Sequence, residues 1–290
     1  MKTIRLTGGY LWPVVALGFI TFPVSQSDAQ STTLSARDTS LQINVDGGAG
    51  GLSNWMIDGV NQLQSQWFYY SIGASPVSAI NSIAPWTPPT LQGVGGNSPI
   101  LSETYANANS SLTTKYTLNS GQVGSHTASL GIALTFQNLT GASEVVNLFQ
   151  YANFGLAGGT TGQVVNFPGT GFPYTVNQAA PSGTTLHGTL SLNGGTVGLV
   201  AGLFDGTDFG LLGGSANFNS TTLSAGPGNV NFGYEFSATL APNASITVSE
   251  LLAVVPEPSS VALMAFGTLA LAVYSRRRLA RGTGKAPEKS

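Results

Sequence analysis

The chain is 290 residues long, enough for a sizeable core, yet only 8% of it is charged and it holds 38 Gly and no Cys. Between Gln30 and Val255 two basic residues, Arg37 and Lys115, stand against nine acids, a net of −7. Such a surface repels phosphate backbones and excludes nucleic acid as a partner, while the missing cysteines exclude disulfides, thiolate catalysis and Cys-ligated zinc.

The first segment, "MKTIRLTGGYLWPVVALGFITFPVSQSDAQ", opens with Lys2 and Arg5 and continues with an apolar stretch from about Tyr10 to Val24. Ser27-Asp28-Ala29 then offers small residues at the −3 and −1 positions of a cleavage site. This is the pattern of a secretory signal peptide over 1–29, cut between Ala29 and Gln30, and it implies a signal peptidase and the Sec translocon as partners. Pro13 and Pro23 weigh against an uncleaved anchor helix.

From Gln30 to Val254 no segment repeats with a helical period. Short runs of Val, Ile, Leu, Phe, Tyr and Thr recur between Gly, Asn, Ser and Pro, which predicts strands. They are Ser40–Asp46, Trp67–Gly73, Leu112–Leu118, Thr127–Leu139, Glu144–Phe154, Thr184–Leu192, Asn229–Leu240 and Ser245–Val255. In "NVNFGYEFSATL" the residues Val230, Phe232, Tyr234, Phe236, Ala238 and Leu240 share one face, and Asn231, Gly233, Glu235, Ser237 and Thr239 the other. That alternation predicts an antiparallel strand with one wet side. The stretch Pro85–Pro99 reads as a long surface loop. Many strands, no helices and Gly-rich turns predict an all-β ectodomain over 30–254, an antiparallel β-sandwich rather than a barrel.

Chemistry is sparse along this region. His126 and His187 are the only histidines, at or within strands, and no HxH or HExxH spacing accompanies them, so no metal site and no cofactor is expected. Glu103, Glu144, Glu235 and Glu250 could supply a glycosidase pair, but each reads as the polar side of a strand or as a loop residue. No GxSxG is present, which leaves an exported hydrolase as a minor alternative to a non-enzymatic protein. "DGGAGG" (Asp46–Gly51) lacks the GK[ST] of a phosphate loop, and "DGTD" (Asp205–Asp208) lacks the rest of a calcium loop; both read as turns. Trp55, Trp67, Phe68, Tyr69 and Tyr70 crowd a short span. Trp55, Trp67 and Tyr69 are candidate sugar-stacking rings of a surface carbohydrate-binding module, against the alternative of core residues on either side of one strand.

The tail is the most informative part. Pro256-Glu257-Pro258 precedes an apolar run, and Arg276-Arg277-Arg278 follows it. Read as a helix over 259–275 the run spans about 26 Å, slightly short of a ~30 Å hydrocarbon core. The arginines would hold its C-terminal end on the cytoplasmic side, in agreement with export of the preceding domain. Two prolines block helix and ladder pairing and suit an extended, accessible segment outside the membrane. By residues alone this is a stop-transfer anchor.

The three parts in this order resemble the PEP-CTERM sorting signal of Gram-negative bacteria, over 255–281, with a basic tail at 282–290 that is longer than the family pattern. The resemblance implies processing at or near Pro256-Glu257-Pro258 by an exosortase, a membrane-embedded cysteine transpeptidase-like enzyme. It further implies transient residence in the inner membrane and delivery to the cell surface or extracellular matrix, often beside exopolysaccharide in a biofilm.

Overall fold

A computed structural model describes residues 31–45, 51–84, 86–203, 218 and 222–256, together with 268, 269, 271 and 274 singly. The signal peptide with its Ala29/Gln30 junction, most of Asp46–Gly51, Asp205–Asp208, Glu257, Pro258, the arginine cluster and the basic tail lie outside the described residues.

Local sequence explains how the strands begin and end. Hairpin turns fall at Arg37 and Asp58, both in the left-handed region at φ 51° and 48°. Asp tolerates that region better than most residues, and Gly59 follows it at φ 78°. These turns join β1 (Ser31–Ala36) to β2 (Thr39–Asn44), and β3 (Gly51–Ile57) to the two-residue β4 (Val60–Asn61). After them come β5 (Leu63–Ile72), β6 (Ser78–Ala79), β7 (Trp86–Gln92), β8 (Ile100–Ala106), β9 (Ser110–Ser120) and β10 (Ala128–Asn138). The later strands are β11 (Glu144–Phe154), β12 (Gln163–Asn166), β13 (Tyr174–Ala179), β14 (Thr184–Leu192) and β15 (Thr196–Leu203). The last three are β16 (Ser224–Gly228), β17 (Val230–Leu240) and β18 (Ser245–Pro256).

Among the described residues two nine-stranded antiparallel sheets result. The first runs β1-β2-β3-β5-β11-β17-β15, with β4 beside β3 and β6 beside β5. The second runs β16-β12-β13-β14-β18-β10-β9-β8-β7. Their facing sides bury one continuous apolar core, as alternating strands of a sandwich must. Phe154 stacks on Phe232, Trp55 meets Phe154 edge-on, and Phe167 of the second layer meets Phe232 and Tyr234 edge-on. The antiparallel all-β architecture is as the sequence predicts.

Three expectations change. Residues 86–92 form β7 and not a loop; the strand is the outermost of its sheet, where Pro88 and Pro89 need donate no ladder bond. Glu103 and Glu250 are not on wet faces. Each lies in phase with the apolar residues of its strand, Leu101 and Tyr105 in one case and Val248 and Leu252 in the other, and is 2% and 5% exposed. The polar side of β17 is also covered, with Asn231 and Glu235 both buried. The cause is Phe218, whose ring meets Phe149 edge-on on that side.

Candidate functional site

Three places hold the functional side chains: the outer face of the first sheet, the polar groups inside the sandwich, and the end from which the tail leaves.

On β5 the aromatic residues alternate. Gln66 bonds to Glu250 of the opposite sheet and Tyr70 lies against Phe136 of that sheet, so Gln66, Phe68 and Tyr70 point inward. Trp67 and Tyr69 point outward and share rows with Tyr151 and Phe149 of β11, and then with Gly233 and Glu235 of β17. Trp67 and Tyr69 are each 4% exposed, and Trp55, on the inner side, is fully buried. Trp55 therefore has no free face for a sugar ring. Gly198 and Gly233 make a saddle for Phe218: a Cβ at Gly198 would collide with the Phe218 carbonyl oxygen, and one at Gly233 would fall 3.0 Å from its ring. The Phe218 N–H donates to Glu235 Oε2 at 2.6 Å. Burial pushes the Glu235 carboxyl up, and that hydrogen bond pulls part of the way back. One row further along, Asn231 Nδ2 donates to the Tyr151 hydroxyl at 3.3 Å. Trp67 Nε1, Asn153 Oδ1 and Asn231 Oδ1 are buried on this face without a hydrogen-bond partner among the described residues.

Inside the sandwich, Gln66 and Gln150 of the first sheet donate through Nε2 to Glu250 Oε2 of the second, at 3.2 and 2.7 Å. Complete burial pushes the Glu250 carboxyl up to about 7 despite those two donors. Its Oε1, both glutamine Oε1 atoms and the Tyr234 hydroxyl have no hydrogen-bond partner among the described residues. Glu103 accepts from Thr114 Oγ1 at 2.8 Å and is likewise raised by burial to about 7. The two histidines behave differently. His187 lies on the exposed side of β14, its Nδ1 2.8 Å from Asn177 Oδ1. His126 precedes β10 at φ 54°, and its Nδ1 is 3.0 Å from Asp58 Oδ2. Sequence spacing had no means of finding that pair, because Asp58 comes from a turn of the other sheet. Among the described residues no group of three His, Cys, Asp or Glu side chains could hold a metal.

Asp58 belongs to a clamp that ties the sheets together at one end. Its carboxylate accepts the Gly124 and His126 backbone N–H groups at 2.9 and 2.7 Å, and Asp38 accepts from Ser120 Oγ at 2.8 Å. Hydrogen bonding with the Asp58 carboxyl, then with Ser120, lowers Asp38 to about 2. Arg37 donates to Asn97 Oδ1 and to the Gly121 carbonyl. Beside the clamp, an open cleft of about 270 Å³ runs past Ser120, Thr127 and Ala128 to Val254 and Val255. Here β18 leaves the domain. It lies in the middle of its sheet, and its pairing continues to Val254 against Ala128 of β10 and to Pro256 against Thr184 of β14.

Residues 254–278 match the model of the PEP-CTERM protein-sorting motif. The chain carries a PEP-CTERM sorting motif. The motif thus begins within the last strand of the sandwich and marks an exported protein sorted by an exosortase. Within it, Thr268, Leu269, Leu271 and Tyr274 are helical and exposed, and among the described residues no helix is long and apolar enough to cross a membrane.

No curated protein matches the chain. Among solved structures, a bacterial glucoamylase complexed with acarbose is similar at 14% identity and TM-score 0.49, over 84% of this chain. This chain spans only 36% of that enzyme's length. A galactose mutarotase-like protein from Clostridium acetobutylicum is similar at 8% identity and TM-score 0.49, over 78% of this chain and 95% of its own. An Aspergillus nidulans amine oxidase is similar at 9% identity and TM-score 0.46, over 84% of this chain and 55% of its own. Three unrelated descriptions at such distance carry no activity to this chain.

Proposed function

We propose that the chain is a non-enzymatic cell-surface or matrix protein, delivered by an exosortase and acting beside exopolysaccharide in a biofilm. The observation that carries this reading is the junction: the sorting motif begins inside the central strand β18, so the whole sandwich is its cargo. The carboxyls that hydrolase chemistry would draw on support the same reading. Glu103 and Glu250 are occupied in the core, on inner faces that a polysaccharide does not reach. Mass spectrometry of the mature C-terminus, from hosts with and without the exosortase, tests the sorting step. Co-sedimentation of the processed protein with the host's exopolysaccharide tests the destination. Full-length chain ending at Ser290 in both hosts refutes the first, and recovery of the protein wholly in the soluble medium refutes the second.

A second reading, a carbohydrate-binding module on the outer face of the first sheet, has less support, because Trp67, Tyr69 and Tyr151 are each 4% exposed or less and offer no open ring face to a pyranose. Titration of the processed protein with exopolysaccharide, followed by tryptophan fluorescence, tests it. Binding that is unchanged in Asn153→Ala and Trp67→Phe removes this reading.

A further inference from the structure

The two sheets have four end strands, β1 and β15 in the first and β16 and β7 in the second. An end strand leaves a row of N–H and C=O groups outside the ladder, and such a row pairs with another chain unless something blocks it. Three of the four are blocked. β7 carries Pro88 and Pro89, and its register with β8 shifts between Thr87 and Thr90. β16 is five residues long, contains Pro227 and shifts register against β12 between Gln163 and Val165. The open side of β15 is taken by a later part of the chain, where the Ala201 N–H donates to the Thr222 carbonyl at 2.9 Å.

β1 has no such guard. "STTLSA" holds no proline and no charge, and its pairing with β2 runs unbroken from Ser31 opposite Asn44 to Ala36 opposite Thr39. Among the described residues nothing pairs with its other side. Ser31, Thr33 and Ser35 are exposed, while Leu34 and Ala36 face the core. Beside this edge a cleft of about 430 Å³ reaches from Thr33 and Ser35 to Leu91, Val94 and Pro99. Leu91 and Val94 are 45% and 76% exposed. Removal of residues 1–29, as the sequence predicts, leaves only Gln30 ahead of the strand, too little chain to fold back over it.

We propose that β1 is a pairing edge for a second copy of this chain, the two β1 strands joining antiparallel about a two-fold axis so that both first sheets run on as one. The occupant follows from the blocked edges, because β1 meets no open end strand on another copy except β1 itself. Such pairing uses the same patch on both copies and closes at two instead of growing into a fibre. Even-numbered residues of β1 face the core, so only registers that set even residues opposite even ones keep that face continuous across the join. The two with the longest overlap place Thr33 opposite its counterpart or opposite Ser35, and no charges meet in the strand pair. A strand added here lies along the cleft and takes Leu91 and Val94 out of water. Chains gathered at one surface by the sorting step meet at a raised local concentration, which favours the pair.

The experiment is sedimentation of the processed chain, purified from its host, over a concentration series, beside amide hydrogen exchange of residues 31–36. The expected result is a monomer–dimer equilibrium, with exchange in β1 slowing as the dimer fills. Thr33→Lys adds an exposed charge that enters a two-fold interface twice. It is expected to weaken dimerisation about tenfold or more while the denaturation midpoint stays at that of the parent. A monomer throughout the series overturns the proposal. So does slow exchange in β1 that is independent of concentration, since the edge is then covered within one copy. A dimer that Thr33→Lys does not weaken is built on another surface and overturns it as well. The proposal rests on the predicted cut after Ala29, and an intact mass that retains residues 1–29 overturns it at that premise, separately from the sedimentation result.

Discussion

Replacing Glu250 by Gln removes one ionisation from the centre of the sandwich and alters how stability depends on pH. The native carboxyl is raised from 4.5 to about 7 by burial. Below pH 4.5 both folded and unfolded chains hold the proton, and the group contributes no pH dependence. Between 4.5 and about 7 the unfolded chain releases the proton while the folded chain retains it, so stability falls as pH rises. Above about 7 both forms are ionised and the full cost is present. At 1.36 kcal/mol per pH unit this amounts to about 3 kcal/mol. A glutamine side chain at this position carries no such cost, and its amide N–H groups can donate to the Gln66 and Gln150 Oε1 atoms that otherwise lack partners.

Chemical denaturation of the processed chain from pH 4.5 to 8.5 reads the effect. Glu250→Gln is expected to match the parent near pH 4.5 and to exceed it by about 3 kcal/mol at pH 8. Glu103 is raised over the same window and Glu235 in the same direction, so the variant retains part of the slope. Asp38, lowered to about 2, acts with the opposite sign and only below this range. A variant with the parent's full slope, or one destabilised equally at every pH, refutes the reasoning.

Gly198→Ala places a methyl group against the Phe218 carbonyl, and overpacking of this kind costs about 1–3 kcal/mol in the same denaturation assay. Trp55→Ala empties a fully buried site beside Phe154 and is expected to lose about 3–5 kcal/mol, whatever polysaccharide is added. Asp58→Ala strips the acceptors from the Gly124 and His126 N–H groups, at a cost of about 1–3 kcal/mol. Amide hydrogen exchange at those two positions should speed up while exchange in β11 stays slow; unchanged exchange at Gly124 counts against the clamp.

The strand pattern was legible because alternation is local. The strand from Ser245 reads the same way in sequence and structure, but Glu250 reads in sequence as a polar-side residue although it lies in phase with Ile246, Val248, Leu252 and Val254, because a carboxylate is expected to face water. What a single strand cannot show is whether its other side is wet. Glu235 looks solvent-facing from β17 alone, and Phe218, from the segment between β15 and β16, covers it. The same limit hid the pairing of Asp58 with His126, whose partners are 68 residues apart. The region at 86–92 was missed because two prolines read as a loop unless the strand is known to lie at an edge. The tail was legible for the opposite reason: its signal is carried by residue type and order, with no fold needed.

The position of β18 also bears on what a tethered domain can withstand. If the chain is held by its C-terminal segment, as the proposed function has it, a pull reaches the sandwich through Pro256, and its component along β18 loads that strand. That strand is joined to β10 over ten register pairs and to β14 over nine. Antiparallel ladder bonds lie perpendicular to the strand, so such a pull loads both ladders in shear, and many bonds share it at once. An edge strand like β7, paired on one side only, would part from its sheet more easily under the same pull. Val248, Leu252 and Val254, all buried, would have to move through the core in step before the strand could slide. On the proposed reading, a sorting motif on a central strand therefore gives a tether a firmer attachment than an edge strand of this sheet would.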